Sequence, residues 1–148
     1  MRKVIPVIAL IIFAGCVTPQ PSAVVTGPEA DYQNAVRSVK EKKYHSAITA
    51  FRKIVADEPK SPIAADALFE VAYLQAFYDN PQKDYSQALS GFNEFLRRYP
   101  AHAKARDAEN WRAVLKLLLD TKKENDRLNK SIEQLKKLDI RHEERRSK

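Results

Sequence analysis

The segment YHSAITAFRKIVADEP, residues 44–59, recurs further along the chain as YSQALSGFNEFLRRYP, residues 85–100. Both copies carry an aromatic residue, an alanine, a second aromatic residue and a proline at the same intervals. Intervals of three and four residues place the first three side chains on one helical face, and the proline ends the helix. The matching residues are Tyr44, Ala47, Phe51 and Pro59 in the first copy and Tyr85, Ala88, Phe92 and Pro100 in the second.

The same offset of 41 continues into the segment that follows each copy. There Ala64, Asp66, Ala67 and Ala72 align with Ala105, Asp107, Ala108 and Ala113, which adds four identities to the four above. Such self-similarity indicates a structural repeat. No segment alternates with a period of two for long enough to form a strand. We therefore predict an all-α chain with helices at about 29–41, 43–57, 61–78, 83–99 and 102–140.

This pattern resembles the tetratricopeptide repeat, a helical hairpin whose second helix carries these aromatic, alanine and proline positions. The resemblance covers residues 29–118, about two and a half repeats, and Ala35, Ala72 and Ala113 fall where that family has a small residue in the first helix. It implies stacked hairpins with a surface that binds partners. The length of the period, from Tyr44 to Tyr85, resembles that in periplasmic lipoproteins of the beta-barrel assembly factor type.

The first fifteen residues have the organisation of a signal peptide. Arg2 and Lys3 precede an apolar run over residues 4–13, which is too short to span a bilayer. Small residues follow at positions 14 and 15, as a cleavage site requires. We predict that residues 1–15 are a lipoprotein signal peptide.

Residues 13–16 resemble the lipobox of bacterial lipoproteins. The resemblance implies that signal peptidase recognises Phe13, Ala14 and Gly15, and that Cys16 carries a covalent diacylglyceryl and palmitoyl lipid. Val17 follows the cysteine where aspartate would signal retention at the inner membrane, so the resemblance implies a lipid anchor in the outer membrane, facing the periplasm. The alternative is an ordinary signal peptide with an incidental cysteine.

The next segment, residues 16–28, holds three prolines, one glycine and no charged side chain. Proline removes backbone donors and restricts the residue before it, so this composition disfavours a helix. We predict a flexible tether between the lipid and the repeat domain.

The C-terminal segment, residues 119–148, contains neither proline nor glycine and continues the last helix. A heptad pattern is compatible with a coiled coil that forms a homo-oligomer. The alternative is a solitary helix that docks elsewhere. The heptad frame places Trp111, Leu118, Asn125 and Ile132 at a, and Val114, Thr121, Leu128 and Leu135 at d.

The net charge of +7 does not point to nucleic acid as a partner. Residues 120–148 hold ten basic and seven acidic side chains, interspersed as on a solvated helix face. Basic residues therefore do not form the block that would bind a polyanion.

The composition also argues against catalysis. Three glycines cannot build a P-loop or a dinucleotide fingerprint, and Gly91 is expected to permit close helix packing. One cysteine excludes a multi-cysteine metal centre, and His45, His102 and His142 lack metal-ligand spacing. We predict no catalytic residue, no metal site and no cofactor apart from the lipid on Cys16.

Aromatic residues suggest where a partner binds. Tyr73, Phe77 and Tyr78 exceed what one buried helical stripe needs, so they are candidate partner-binding residues. Trp111 is expected to pack in the core beneath the second hairpin.

The sequence thus predicts a lipid-anchored periplasmic scaffold that binds an envelope protein through its repeat surface, in outer-membrane protein assembly or envelope organisation. Two alternatives stay open. Residues 123–139 are loosely similar to small outer-membrane lipoproteins that regulate a membrane sensor kinase, and the aromatic side chains could instead bind peptidoglycan or another glycan.

Overall fold

A computed structural model describes residues 27–147, and these form five α-helices without a strand. The all-α hairpin fold predicted from the repeat is confirmed. The predicted signal peptide, the lipobox with Cys16 and nearly all of the predicted tether lie outside the described residues. The helices are α1 Pro28–Lys40, α2 Tyr44–Asp57, α3 Pro62–Ala76, α4 Tyr85–Arg98 and α5 Ala105–Arg146.

Proline and aspartate define three of the helix starts. Pro28 and Pro62 occupy the first positions of α1 and α3, where the missing N–H has no intrahelical partner to lose. The Asp84 carboxylate accepts hydrogen bonds from the backbone N–H groups of Ser86 and Gln87 at 2.9 and 3.0 Å. These bonds, led by that from Gln87, lower the pKa of Asp84. The predicted tether ended at Pro28 and the predicted helix began at residue 29, whereas α1 begins one residue earlier, at Pro28.

The loop after α3 differs from the prediction, which continued the helix to residue 78. The helix ends at Ala76, and Phe77 has an extended backbone with φ −64° and ψ 128°. Asn80 is the cause: its Nδ2 donates to the Leu74 carbonyl oxygen at 2.8 Å, and its Oδ1 accepts from the Gln82 N–H at 2.9 Å. The side chain thereby caps α3 and closes the loop, and it is only 1% exposed.

Two apolar clusters form the core, and α3 belongs to both. The first lies between α1, α2 and α3 and contains the fully buried Phe51. The second lies between α3, α4 and α5 and contains the fully buried Phe92 and Phe95. Because α3 is covered on both sides, ten of its fifteen residues are buried. Each hairpin therefore depends on its neighbour for a core, as a repeat architecture requires.

The repeated residues hold equivalent places in the two hairpins. Ala47 and Ala88 are fully buried, whereas Pro59 and Pro100 are exposed just beyond the ends of α2 and α4. Tyr44 is buried and Tyr85 is half-buried. The Tyr99 hydroxyl donates to the Pro59 carbonyl oxygen at 3.3 Å, which joins the ends of the two hairpins.

The fifth helix closes the array. Its Ala108 and Leu115 are buried, and they are the repeat counterparts of Ala67 and Leu74 on the face of α3 that meets the first hairpin. The opposite face of α5 is polar, whereas the equivalent face of α3 is apolar, as expected for a terminal repeat. On α3 that face packs against α4 through Ala65, Leu68 and Phe69; on α5 the corresponding residues are Arg106, Glu109 and Asn110, all exposed.

Beyond Leu119 the same helix leaves the domain. All of its side chains from residue 120 to 146 are exposed except that of Ser131, which is half-buried. At a rise of about 1.5 Å per residue, this part extends about 40 Å from the repeats. The helix continues to Arg146, past the end predicted near residue 140. No helix within residues 27–147 is long and apolar enough to cross a membrane.

Candidate functional site

A groove lies between α3 and α5, the first helices of the second and third repeats. Its cavity measures about 590 Å³, which is within the range of ligand sites. The lining is mainly apolar, with polar side chains toward the start of α5. The α3–α5 groove is lined by Phe69, Glu70, Tyr73, Lys104, Asp107, Asn110, Trp111 and Val114.

Four aromatic side chains form a continuous row from this groove to the loop after α3. The Tyr73 ring centroid lies 5.6 Å from those of Trp111 and Phe77, and the Phe77 centroid lies 5.0 Å from that of Tyr78. Tyr73, Phe77 and Trp111 are half-buried, while Tyr78 is 79% exposed. We call Trp111, Tyr73, Phe77 and Tyr78 the aromatic row. The structure therefore brings the three candidate partner-binding residues together, and their role remains a prediction.

Trp111 belongs to both the core and the groove. Its ring is parallel to that of Phe92, with an interplanar angle of 3° and a centroid distance of 6.2 Å. It packs against the second core cluster, as expected, but it is not fully buried and also lines the groove. Because the fold fixes one side of the indole, its free side offers a rigid apolar surface to a partner.

The repeat offset aligns residues on the first helices of the three repeats, and among them Val114 lines the groove although it was not a candidate partner-binding residue. Tyr32, Tyr73 and Val114 stand at one repeat position, and Val36, Phe77 and Leu118 stand four residues later. Within each first helix the two positions lie on one face. Val114 and Leu118 are 57% and 43% exposed, so this apolar surface is least covered on α5.

Lys104 joins the start of α5 to α3. Its Nζ lies 3.0 Å from Asp66 Oδ1 and 3.3 Å from Glu70 Oε1, and it stands 4.9 Å from the centroid of the Phe69 ring. Burial opposes the charge on the ammonium, but the hydrogen bond to Asp66 and the charge of Glu70 outweigh it. The pKa of Lys104 is therefore raised. The ammonium stays charged and holds this side of the groove together.

Tyr32 of α1 is close enough to Glu70, Lys104 and Asp66 for their charges to affect its pKa. Burial raises the pKa of Tyr32 to about 12, and the neighbouring charge of Glu70 adds to the effect. Asp66, Glu70 and Asp107 outnumber Lys104, so the charge of this region is negative. The region favours neutral or basic groups on a ligand over acidic ones.

The loop that carries Phe77 and Tyr78 is tied to the turn between α1 and α2. The Tyr44 hydroxyl donates to Asp79 Oδ2 at 2.9 Å, and Lys42 Nζ lies 2.9 Å from the same oxygen. The hydrogen bonds from Lys42 and Tyr44 lower the pKa of Asp79. These contacts fix the end of the aromatic row.

The histidines lie apart. His45 and His142 are exposed, and His102 packs its ring edge-on to Phe95 at 5.5 Å. Within residues 27–147 no three side chains of the metal-ligating types cluster.

Stacked hairpins, a polar terminal face and a largely apolar groove define a helical-repeat protein with a surface suited to binding. A family model described as YfiO, outer membrane lipoprotein, matches residues 26–142. The chain belongs to this family of outer membrane lipoproteins, which also places it at the outer membrane. No curated protein and no solved structure matches it significantly.

Proposed function

We propose that this lipoprotein is a non-catalytic scaffold that binds a segment of an envelope protein in the α3–α5 groove during outer-membrane protein assembly. The observation that carries the proposal is the aromatic row, which leads from the groove to the exposed Tyr78. Half-buried aromatic side chains on a rigid framework supply much of the binding energy at protein interfaces. The predicted lipid on Cys16 would hold this groove near the periplasmic face of the membrane.

The groove also indicates the chemistry of the segment. Its apolar lining favours aliphatic or aromatic side chains, and the carboxylates of Glu70 and Asp107 disfavour acidic ones. Asn110 offers amide donors and acceptors for a backbone or a polar side chain. The segment is therefore expected to be apolar with neutral or basic flanks.

Trp111 provides a direct assay, because it is the chain's only tryptophan and lines the groove. Peptides from the periplasmic regions of outer-membrane assembly proteins would be titrated against the mature chain with Cys16→Ser. We expect a saturable change in tryptophan fluorescence, weakened about tenfold or more by Tyr73→Ala and unchanged by Asn93→Ala on the exposed face of α4. Equal binding by both variants would contradict the proposed groove.

In cells, a photo-crosslinking residue at Val114 should capture an outer-membrane assembly protein, and one at Asn93 should not. Capture of a sensor kinase instead, or retention of peptidoglycan that Tyr73→Ala abolishes, would replace the proposal by one of its alternatives. The anchor is tested separately, since Cys16→Ser must abolish metabolic labelling with palmitate.

A further inference from the structure

The projecting part of α5 carries an apolar stripe that nothing in the described chain covers. Leu128, Ile132, Leu135 and Leu138 are between 45% and 64% exposed and lie close to one side of the helix. In proteins most helical stability comes from packing of an amphipathic face, and this part of α5 has no such packing within residues 27–147. Toward the repeats, Thr121 and Asn125 interrupt this stripe, which resumes at Leu118 and Val114. Val114 lines the α3–α5 groove, so the resumed stripe adjoins the groove.

A parallel pair of these helices fits the stripe poorly. Each core residue would face its own copy, so Asp139 at an a position would oppose Asp139, which is unfavourable for like charges. The flanking Leu117 would lie against Lys122 of the second copy, and Leu138 against Glu143. The two flanking leucines would gain no apolar partner.

An antiparallel pair has a register in which the two Asp139 side chains no longer oppose each other, and each faces Val114 of the other copy instead. When Leu118 faces Leu135 of the second copy, Asn125 faces Leu128 and Thr121 faces Ile132. In the same register Leu117 faces Leu138, so the flanking leucines cover each other. Lys122 then faces Asn129, which avoids opposing like charges.

Complementary charges support the same register. This register brings Arg146 of the second copy level with Asp107, on the rim of the groove, and Arg145 level with Asn110. Asp107 makes no ion pair within residues 27–147, whereas its repeat counterpart Asp66 binds Lys104. Arg145 and Arg146, which follow Glu143 and Glu144 at the helix end, thus meet a negatively charged groove.

We propose that two copies of this chain associate through antiparallel α5 helices, with the C-terminal turn of each copy, which carries Arg145 and Arg146, docked at the α3–α5 groove of the other. The apolar stripe holds the pair, and contact between Asp107 and Arg146 fixes its register. This association stands apart from the proposed function. Only the corollary that a bound segment and the second copy compete for the groove rests on that function.

Disulfide trapping tests the orientation. Cys16 is the only cysteine, so Cys16→Ser gives a cysteine-free mature chain into which single cysteines can be placed. We expect Leu118→Cys and Leu135→Cys variants to form a mixed disulfide when oxidised together, and neither to form a disulfide with itself. A disulfide between two copies of the Leu118→Cys variant would show a parallel pair and overturn the proposal. Sedimentation of the cysteine-free chain as a monomer at high micromolar concentration would also overturn it.

Charge exchange tests the docking. Asp107→Lys and Arg146→Glu should each weaken dimerisation about five- to tenfold, and the double variant should recover most of the loss. Lys123→Glu, on the outer face of the helix, is the matched control and should change dimerisation little. If the double variant is weaker than both single variants, the groove contact is wrong. A dimer that forms normally while peptide titrations fail would contradict only the proposed function.

Discussion

Gly91 of α4 lies directly against Ala72 of α3. A methyl group at Gly91 would come within 2.8 Å of the Ala72 Cβ atom and 3.3 Å of its Cα atom. Two helices of the central hairpin therefore touch at backbone level. This contact allows Phe92 and Phe95 of α4 to reach the Phe69 ring, at centroid distances of 5.5 Å.

Gly91→Ala should destabilise the fold. Although alanine is intrinsically better in a helix by about 1 kcal/mol, the added methyl group must push α3 and α4 apart. We expect a net loss of about 1–3 kcal/mol in the free energy of unfolding, measured by urea denaturation. Ser90→Ala, at the exposed neighbouring position, is the control. Equal stability of the two variants would show that the helices separate without cost.

Asn80→Ala should loosen the loop that carries Phe77 and Tyr78. The substitution leaves the Leu74 carbonyl oxygen and the Gln82 N–H without their buried partner, at a cost of about 1–3 kcal/mol. Thermal unfolding would measure the loss, with Asn93→Ala as the exposed control. No difference between the two asparagines would mean that water replaces both hydrogen bonds.

Stability should fall in alkali because of Tyr32. Its pKa is raised from 10.0 to about 12, so the folded chain favours the neutral phenol. The corresponding stabilisation is complete below pH 10 and disappears as the pH rises toward 12. Ultraviolet titration should show late-titrating tyrosine absorbance that Tyr32→Phe reduces, and Tyr44, whose pKa is also raised by burial, should account for the rest. The substitution should also flatten the alkaline loss of stability, and an unchanged slope would refute this assignment.

Lys104→Met should destabilise the contact between α3 and α5. The change leaves the carboxylates of Asp66 and Glu70 close together without their cation, at an expected cost of about 1–2 kcal/mol at these half-exposed positions. Adding Asp66→Asn and Glu70→Gln should recover part of that stability, as measured by urea denaturation. If the triple variant is no more stable than Lys104→Met, repulsion between the carboxylates is not the cause.

The second helices could be predicted from sequence because their signal is local. Phe51 and Phe92 pack through spacings that the helix itself dictates, and prolines end both helices. The cap at Asn80 was missed because helical periodicity runs through Tyr78, and only the buried side-chain contact interrupts it. The Asn80-Pro81 pair was the available turn signal.

The groove was only partly accessible from sequence. Tyr73 and Phe77 were predicted as surplus aromatic residues, whereas Val114 was considered only as a heptad position although the repeat offset aligns it with Tyr73. The ion pairs of Lys104 could not be foreseen, because Asp66 lies in the preceding repeat, far from Lys104 in sequence. Such contacts depend on how α3 and α5 cross, which no local pattern specifies.

The single helix α5 joins two regions of unequal protection. Amide hydrogens around Leu115 are shielded by the core, so they should exchange with deuterium only through larger unfolding events. Those of residues 120–146 have no such cover within one copy and should exchange much faster, through fraying from the C-terminal end. The rate should change steeply near Leu119. Protection that spreads toward Arg146 as the protein concentration rises would report, residue by residue, how far a second chain covers the helix.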